Sequence, residues 1–145
     1  MSRGSKWFRT AIADVAGRSV DVRLPCAPDT AAEARHLVVD LCERCGVREQ
    51  LVPDVALAVS EAAANAMEHA YPRGMTGDVD LWASVDDDAL TVVLRDYGPG
   101  PSHDAGRCGG LGIGVMRAVS DSCEVEPARP GTCVRMRFRL HSAGV

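Results

Sequence analysis

Hydrophobic and polar residues alternate along several short segments of the chain. The segment SVDVRLPC, residues 19–26, alternates with a period of two, which predicts a half-buried strand. Residues 78–85 (DVDLWASV) and 89–98 (ALTVVLRDYG) predict two strands that are joined by a turn at the three intervening aspartates. Residues 123–128 (CEVEPA) and 132–140 (TCVRMRFRL) predict a last pair of strands, joined at RPG.

Three other segments carry helical signals. Residues 27–46 begin with Asp29 or Thr30 as a cap and end at Gly46. Residues 52–74 have a proline in the first turn and are terminated by Pro72. A Gly- and Pro-rich loop over residues 98–110 precedes a short helix, IGVMRAVSDSC, at 113–123. This order of elements predicts an α/β (α+β) two-layer sandwich, with helices on one face of a mixed, mostly antiparallel sheet.

The composition narrows the class of protein. The 145 residues suffice for one domain with a buried core, and we expect a tail or edge element over residues 1–18 and one domain over 19–145. A net charge of -4 argues weakly against a nucleic-acid binder, which is usually basic. The chain lacks an apolar run of the ~20 residues that span a bilayer, and MSRGSKWFRT lacks the apolar stretch of a secretory signal. We therefore expect a cytoplasmic protein with no direct nucleic-acid or membrane partner.

Cys42 and Cys45 form a single C-x-x-C pair. Because the cytosol keeps thiols reduced, a disulfide is not expected there. A zinc or redox role stays open, but one such pair without a second is a weak metal signal. We favour small, partly buried helix residues for both positions.

Candidate chemistry begins on the second helix, in EAAANAMEHA at residues 61–70. Glu61, Asn65 and His69 recur every four residues, so they fall within about 80° of arc on one helix face. The amide oxygen of Asn65 suits a hard cation such as Mg²⁺, and Glu61 can accept a proton from a hydroxyl or water. Taken alone, the stripe is more typical of a solvated helix face.

A second candidate follows the apolar strand LTVVL, in LRDYGPGP at residues 94–101. Asp96 lies at the end of the strand, and Gly98 and Gly100 let backbone approach a ligand closely. The carboxylate can accept a hydrogen bond from an exocyclic amine such as that of adenine. An ordinary turn also uses Asp, Gly and Pro, and that alternative stays open.

A third candidate is CGGLGIGVMRAVSD, residues 108–121. Its glycines run into a helix start, where backbone N–H groups and the helix dipole suit phosphate. The segment matches neither the Walker nor the Rossmann signature, and a flexible helix entry would look similar. The three candidates follow one another between residues 61 and 114, and this order favours one shared site.

Together these motifs resemble the GHKL ATP-binding superfamily, which has the Bergerat fold, and above all its branch of small anti-sigma factor serine kinases. EAAANAMEHAY resembles the family's N-box, RDYGPG its G1 box and GGLGIGVMRAVSD its G2 box. GTCVRMRFRL resembles its final strand, and LPCAPDTAAEARHLV its opening segment. The resemblance covers residues 19–140.

The resemblance implies ATP and Mg²⁺ as cofactors and a role for each matched residue. Glu61 would be the general base, Asn65 would bind Mg²⁺, and Asp96 would bind the adenine amine. His69 would help to hold the N-box, and residues 101–109 would form an ATP lid. The remaining nucleotide-binding residues implied are Gly98, Gly100, Arg107, Gly110, Leu111, Gly112, Ile113, Gly114 and Thr132.

The resemblance also implies a function and its partners. The protein would be an ATP-binding anti-sigma factor with serine kinase activity, acting on a STAS-type anti-sigma-factor antagonist. It would also sequester a sigma factor, as a homodimer. The lid carries little positive charge beyond Arg107, so a second hypothesis stays open. In that hypothesis the protein binds a regulator in response to nucleotide and has no kinase activity.

Overall fold

The computed structural model describes residues 17–70, 77–98 and 110–141, without the side chains of 69, 70, 110 and 111. Gly100, Arg107, the predicted lid and most of the predicted N-terminal element lie outside the described residues. The elements run in the order β1 (Ser19–Pro25), α1 (Thr30–Arg44), α2 (Val52–Asn65), a π-helical turn (Ala66–Ala70), β2 (Asp78–Val85), β3 (Ala89–Asp96), α3 (Gly110–Val119), β4 (Ser122–Pro127) and β5 (Thr132–Arg139).

The five strands form one sheet in the order β1-β2-β3-β5-β4. Leu81 lies opposite Val22 on one side and Leu94 on the other, so apolar side chains of neighbouring strands meet on the face that packs against the helices. The two-layer sandwich is confirmed. Each described strand pair is antiparallel, so this sheet is antiparallel where the sequence suggested a mixed one.

Small residues on α2 set how closely the helical layer approaches its neighbours. Ala58, Ala62 and Ala63 are buried in the core, together with Val38 from α1 and Phe138 from β5. Because alanine carries only a methyl group, α2 can pack closely against both the sheet and the adjacent helices. The alanine-rich sequence of α2 is therefore a packing feature, and it fixes the position of the polar face of the same helix.

The start of α1 differs in detail from the predicted cap. Asp29 occupies the N-cap position but makes no side-chain capping hydrogen bond. The Thr30 hydroxyl instead accepts from the Ala27 N–H at 2.9 Å and donates to the carbonyl of Pro25. Thr30 is buried, so these bonds satisfy its hydroxyl while they fix the loop between β1 and α1.

The third helix begins at Gly110, three residues before the predicted start, and ends at Val119. Glycine disfavours a helix by roughly 1 kcal/mol relative to alanine, but α3 packs against α2 along this segment. Tertiary contact therefore overrides the local preference. At the other end, the Ser120 hydroxyl donates to the Met116 carbonyl at 2.6 Å, and β4 begins at Ser122.

Cys42 and Cys45 lie at the end of α1. Cys42 is fully buried in the core, and burial raises the pKa of its thiol to about 11, which suppresses its thiolate. Among the described residues no group of three or more potential metal ligands is found. The burial of Cys42 favours the packing interpretation for this residue. Among the helices that the structure describes, none has both the length and the apolarity needed to cross a membrane.

Candidate nucleotide-binding site

Glu61 and Asn65 lie one turn apart on α2 and are both half-buried. Asn65 is the last residue of α2, and the chain continues directly into the π-helical turn Ala66–Ala70. Such turns are rare and are frequent at functional sites. The backbone of His69 belongs to this turn.

Gly112 brings the first turn of α3 against these two side chains. A Cβ atom built on Gly112 would lie 3.2 Å from Oδ1 of Asn65 and 3.3 Å from Oε1 of Glu61. The structure therefore brings together Glu61, Asn65 and Gly112, three residues from two of the sequence motifs. Their oxygens lie beside a helix N-terminus, whose N–H groups favour an anion.

The other glycines of this motif are placed differently. Gly110 is the first residue of α3, and Gly114 is exposed, with open space where a side chain would be. Leu111 belongs to the same first turn, whereas the side chain of Ile113 is buried in the core. Any contact of Ile113 with a ligand would therefore come from its backbone.

Gly112 and Gly114 make a matched pair for substitution by alanine. We expect Gly114→Ala to stabilise the protein by roughly 0.5–1 kcal/mol, because alanine favours a helix and meets no neighbour. Gly112→Ala should lose that gain, since its Cβ would displace Glu61 and Asn65. Urea unfolding of both variants measures the difference. An equal gain in both would show that Gly112 is not constrained by the two side chains.

Asp96 forms a second part of the site, at the end of β3. Its Oδ1 accepts hydrogen bonds from the N–H groups of Gly98 at 3.1 Å and Thr132 at 3.2 Å. The residue is only 7% exposed, and burial raises the pKa of its carboxyl, while the two backbone bonds and the Arg95 charge oppose the rise. Because both bonds end on Oδ1, Oδ2 is the oxygen that would meet the amine of a ligand.

Gly131 is a site residue that the motif analysis did not identify. It has φ +99°, and a Cβ atom built on it would lie 2.0 Å from the backbone oxygen of Asp96 and 2.9 Å from its Oδ1. A side chain therefore cannot be placed there without moving the backbone. The glycine lets the β4–β5 hairpin approach Asp96 and directs the Thr132 N–H toward the carboxylate. The available signal was the glycine directly before Thr132.

A network on the opposite face of the sheet supports this end of β3. Arg95 is buried, donates to the carbonyl of Pro130 at 3.0 Å, and stacks over the ring of Tyr97 at 4.2 Å. The hydroxyl of Tyr97 donates to Asp80, which pairs with Arg23 at 2.7 Å. Both neighbours of Asp96 are thus fixed from outside the site. This network depends on strand register, so the sequence motifs carried no sign of it.

The donor set around Asn65 suits magnesium better than a transition metal. Asn65 offers an amide oxygen that faces Gly112, beside the carboxylate of Glu61. Mg²⁺ commonly binds one or two protein oxygens and completes its shell with water and phosphate oxygens. The residues present therefore fit a magnesium ion that would be held jointly with a phosphate-bearing ligand.

Comparisons with known proteins agree with this architecture. The family described as "Histidine kinase-like ATPase domain" matches residues 24–138. The serine-protein kinase RsbW of Bacillus subtilis is 28% identical over 123 residues, which cover 74% of this chain and 77% of that protein. The protein of the same name in Bacillus pumilus is 29% identical over 135 residues, covering 81% and 83%.

A solved structure shares the fold. The crystal structure of the RsbU and RsbW domains of a Mycobacterium tuberculosis protein superposes with a TM-score of 0.69 at 19% identity. The match covers 84% of this chain and 32% of that longer chain. The family match spans most of the chain and confirms the resemblance that the three motifs carried. The chain belongs to the histidine kinase-like ATPase domain family.

Proposed function

We propose that the protein is a cytoplasmic, homodimeric anti-sigma factor with ATP-dependent serine kinase activity, formed by one domain over residues 19–145. It would phosphorylate a STAS-type anti-sigma-factor antagonist and sequester a sigma factor. The observation that carries the proposal is the meeting of the Glu61 and Asn65 oxygens at the first turn of α3. The names of the RsbW relatives support a serine as the acceptor.

Each part of the site has a role in this reaction. Asp96 would accept a hydrogen bond from the adenine amine, and the N–H groups at the start of α3 would orient the phosphates. Asn65 would hold Mg²⁺, which neutralises phosphate charge when bound. Arg107 and Gly100, which lie outside the described residues, would complete the lid and the adenine pocket.

Glu61 would take the proton of the acceptor. The serine oxygen attacks the γ-phosphorus, the bond to the β-phosphate oxygen breaks, ADP leaves, and the hydroxyl proton passes to Glu61. Phosphoryl transfer depends mainly on positioning and charge stabilisation, and covalent chemistry by the protein is not needed. A preorganised base, one metal ligand and a helix N-terminus therefore suffice for the reaction.

Asp96→Asn tests the adenine end of the site. We expect ATP affinity to fall about 10- to 100-fold, because an amide is a weaker acceptor than a carboxylate and can present its NH₂ group to the adenine amine. Isothermal titration with Mg-ATP measures the change. Asp87→Asn makes the same substitution at an exposed hairpin position and should leave the affinity unchanged. Equal ATP affinity in Asp96→Asn and wild type would remove Asp96 from the site.

Asp96→Asn should also change how the stability of the protein depends on pH. Since the folded-state pKa of Asp96 is raised above 3.8, ionising this carboxyl costs stability as pH rises through that folded-state value. Asparagine avoids the cost, and its carbonyl oxygen can keep both backbone bonds. Asp96→Asn should therefore be at least as stable as wild type at pH 7. The stability advantage of Asp96→Asn over wild type should shrink as pH falls toward 3.8. Because the variant is expected to be stable at pH 7, weaker ATP binding there would not reflect misfolding.

A transfer assay tests the reaction itself. The wild-type protein, γ-labelled ATP and each STAS-domain protein of the source organism are incubated with Mg²⁺ or with EDTA. We expect label on a serine of one STAS protein, dependent on Mg²⁺, reduced in Asp96→Asn and retained in Asp87→Asn. Mg-ATP binding without transfer to any STAS protein would instead favour the non-catalytic, nucleotide-responsive alternative.

A further inference from the structure

Leu57 is an apolar side chain in contact with solvent. Among the residues that the structure describes, it is the one large hydrophobic residue classed as exposed, with 44% of its surface accessible. Single exposed leucines are common on protein surfaces and need no explanation by themselves. Its position relative to the proposed site gives this one significance.

Leu57, Glu61 and Asn65 follow one another at four-residue intervals along α2. Each interval advances about 6 Å along the helix and turns about 40° around it, so the three lie on one continuous stripe. Asn65 and Glu61 face the first turn of α3. Leu57 lies one turn beyond Glu61, on the side away from Asn65.

Small residues separate Leu57 from the far end of α2 on its own side of the helix. Ser60 and Ala64 occupy the adjoining positions on the same side of α2, and both have small side chains. Arg35 of α1 donates to the Ser60 hydroxyl at 3.1 Å, which ties the two helices together at this level. Leu57 is therefore an exposed apolar side chain one turn from the proposed base, on a helix whose inner side is packed through buried alanines.

From this placement we infer that Leu57 is a docking residue for the protein substrate, an inference that rests on the proposed kinase function. With phosphates at Asn65 and the acceptor hydroxyl at Glu61, the substrate chain continues across Leu57. The matching group is an aliphatic side chain about 6 Å from the acceptor oxygen. That separation corresponds to two residues along an extended chain or one turn along a helix. The site thus selects a serine that has an aliphatic neighbour on the same surface.

The test compares Leu57→Gln with Leu57→Met. Leucine, methionine and glutamine have similar helix propensities, so the two variants differ mainly in polarity. With the STAS protein that the wild type phosphorylates, Leu57→Gln should raise KM about tenfold, as expected for loss of one apolar contact. Its kcat and its affinity for Mg-ATP should stay within about twofold of wild type, and Leu57→Met should restore KM. An unchanged KM in Leu57→Gln would overturn the inference.

A binding measurement separates this inference from the proposed activity. Each STAS protein is titrated against wild type and both variants in the presence of Mg²⁺ and a non-hydrolysable ATP analogue. If no protein is phosphorylated but one binds, and Leu57→Gln weakens its binding about tenfold, the docking role holds and the kinase proposal fails. If Leu57→Gln binds as tightly as wild type, or if no STAS protein binds, the docking role is wrong.

Discussion

Replacing Glu61 with Gln should reduce phosphoryl transfer about 10²- to 10⁴-fold, the range expected for loss of a general base. Glutamine keeps the length of the side chain and an oxygen that can lie beside Gly112, but it cannot take a proton at neutral pH. Affinity for Mg-ATP should therefore stay within about threefold of wild type, since the helix N-terminus, Asn65 and Asp96 are intact. Single-turnover transfer to the STAS protein measures the effect, because it isolates the chemical step.

Glu43→Gln provides the control for Glu61→Gln. It makes the same chemical change on an exposed position of α1, away from the stripe on α2. Its transfer rate should equal that of wild type. If Glu61→Gln also transfers phosphate at the wild-type rate, Glu61 does not act as the base. The oxygen beside Gly112 would then only position the ligand.

Strand positions could be predicted from the sequence because each strand of the sheet has one face against the helices. β2 occupies the predicted residues 78–85, and β1 and β3 begin at the predicted residues 19 and 89. In β2 buried and less buried side chains alternate, as a period-two pattern predicts. β3 is instead a mostly apolar run that is buried almost throughout, which is a second signal for a strand. The pattern does not encode which strands are neighbours. The pairing of β3 with β5 could not be predicted from these patterns, because it depends on the tertiary fold.

The start of α3 was predicted too late because its sequence contains glycine where a helix ordinarily avoids it. Gly110, Gly112 and Gly114 all lie within the helix. At Gly112 the cause is visible, since any side chain would meet Glu61 and Asn65. The glycine that weakens the local helical signal is thus the residue that lets the helix approach the polar stripe. Sequence propensity and tertiary packing conflict at the proposed site, as they commonly do at functional sites.

The placement of Glu61 and Asn65 on one face of α2 could be predicted because it follows from helical periodicity alone, whereas the surroundings of Asp96 could not. Gly131 approaches Asp96 across the sheet, and Arg95 reaches Pro130 from the opposite face. Both contacts join residues 35 positions apart in the sequence. Neither the types of these residues nor their spacing in the sequence predicts such a contact. Only the register of β3 against β5 makes it visible.

The close approach of Gly131 to Asp96 predicts a second large effect, on the stability of the protein. Replacing Gly131 with Ala should destabilise the protein by roughly 3–5 kcal/mol, at the upper end of single substitutions. Alanine disfavours the positive φ of this residue, and its Cβ would lie 2.0 Å from a backbone oxygen that no side-chain rotation can move. Thermal unfolding should show a fall in Tm of about 10 °C, given the 2–4 °C per kcal/mol expected for a domain of this size.

Gly46→Ala separates the two causes of that loss. Gly46 also has positive φ, at +71°, but a Cβ atom built on it meets no atom within 4 Å. It should therefore cost only about 1–2 kcal/mol, the contribution of backbone conformation. The remainder in Gly131→Ala comes from displacing the β4–β5 hairpin, which also moves the Thr132 N–H from Asp96. Gly131→Ala should accordingly weaken Mg-ATP binding at temperatures where it is still folded, and Gly46→Ala should not. Equal destabilisation by both substitutions, with ATP affinity unchanged, would show that the hairpin does not hold Asp96 in place.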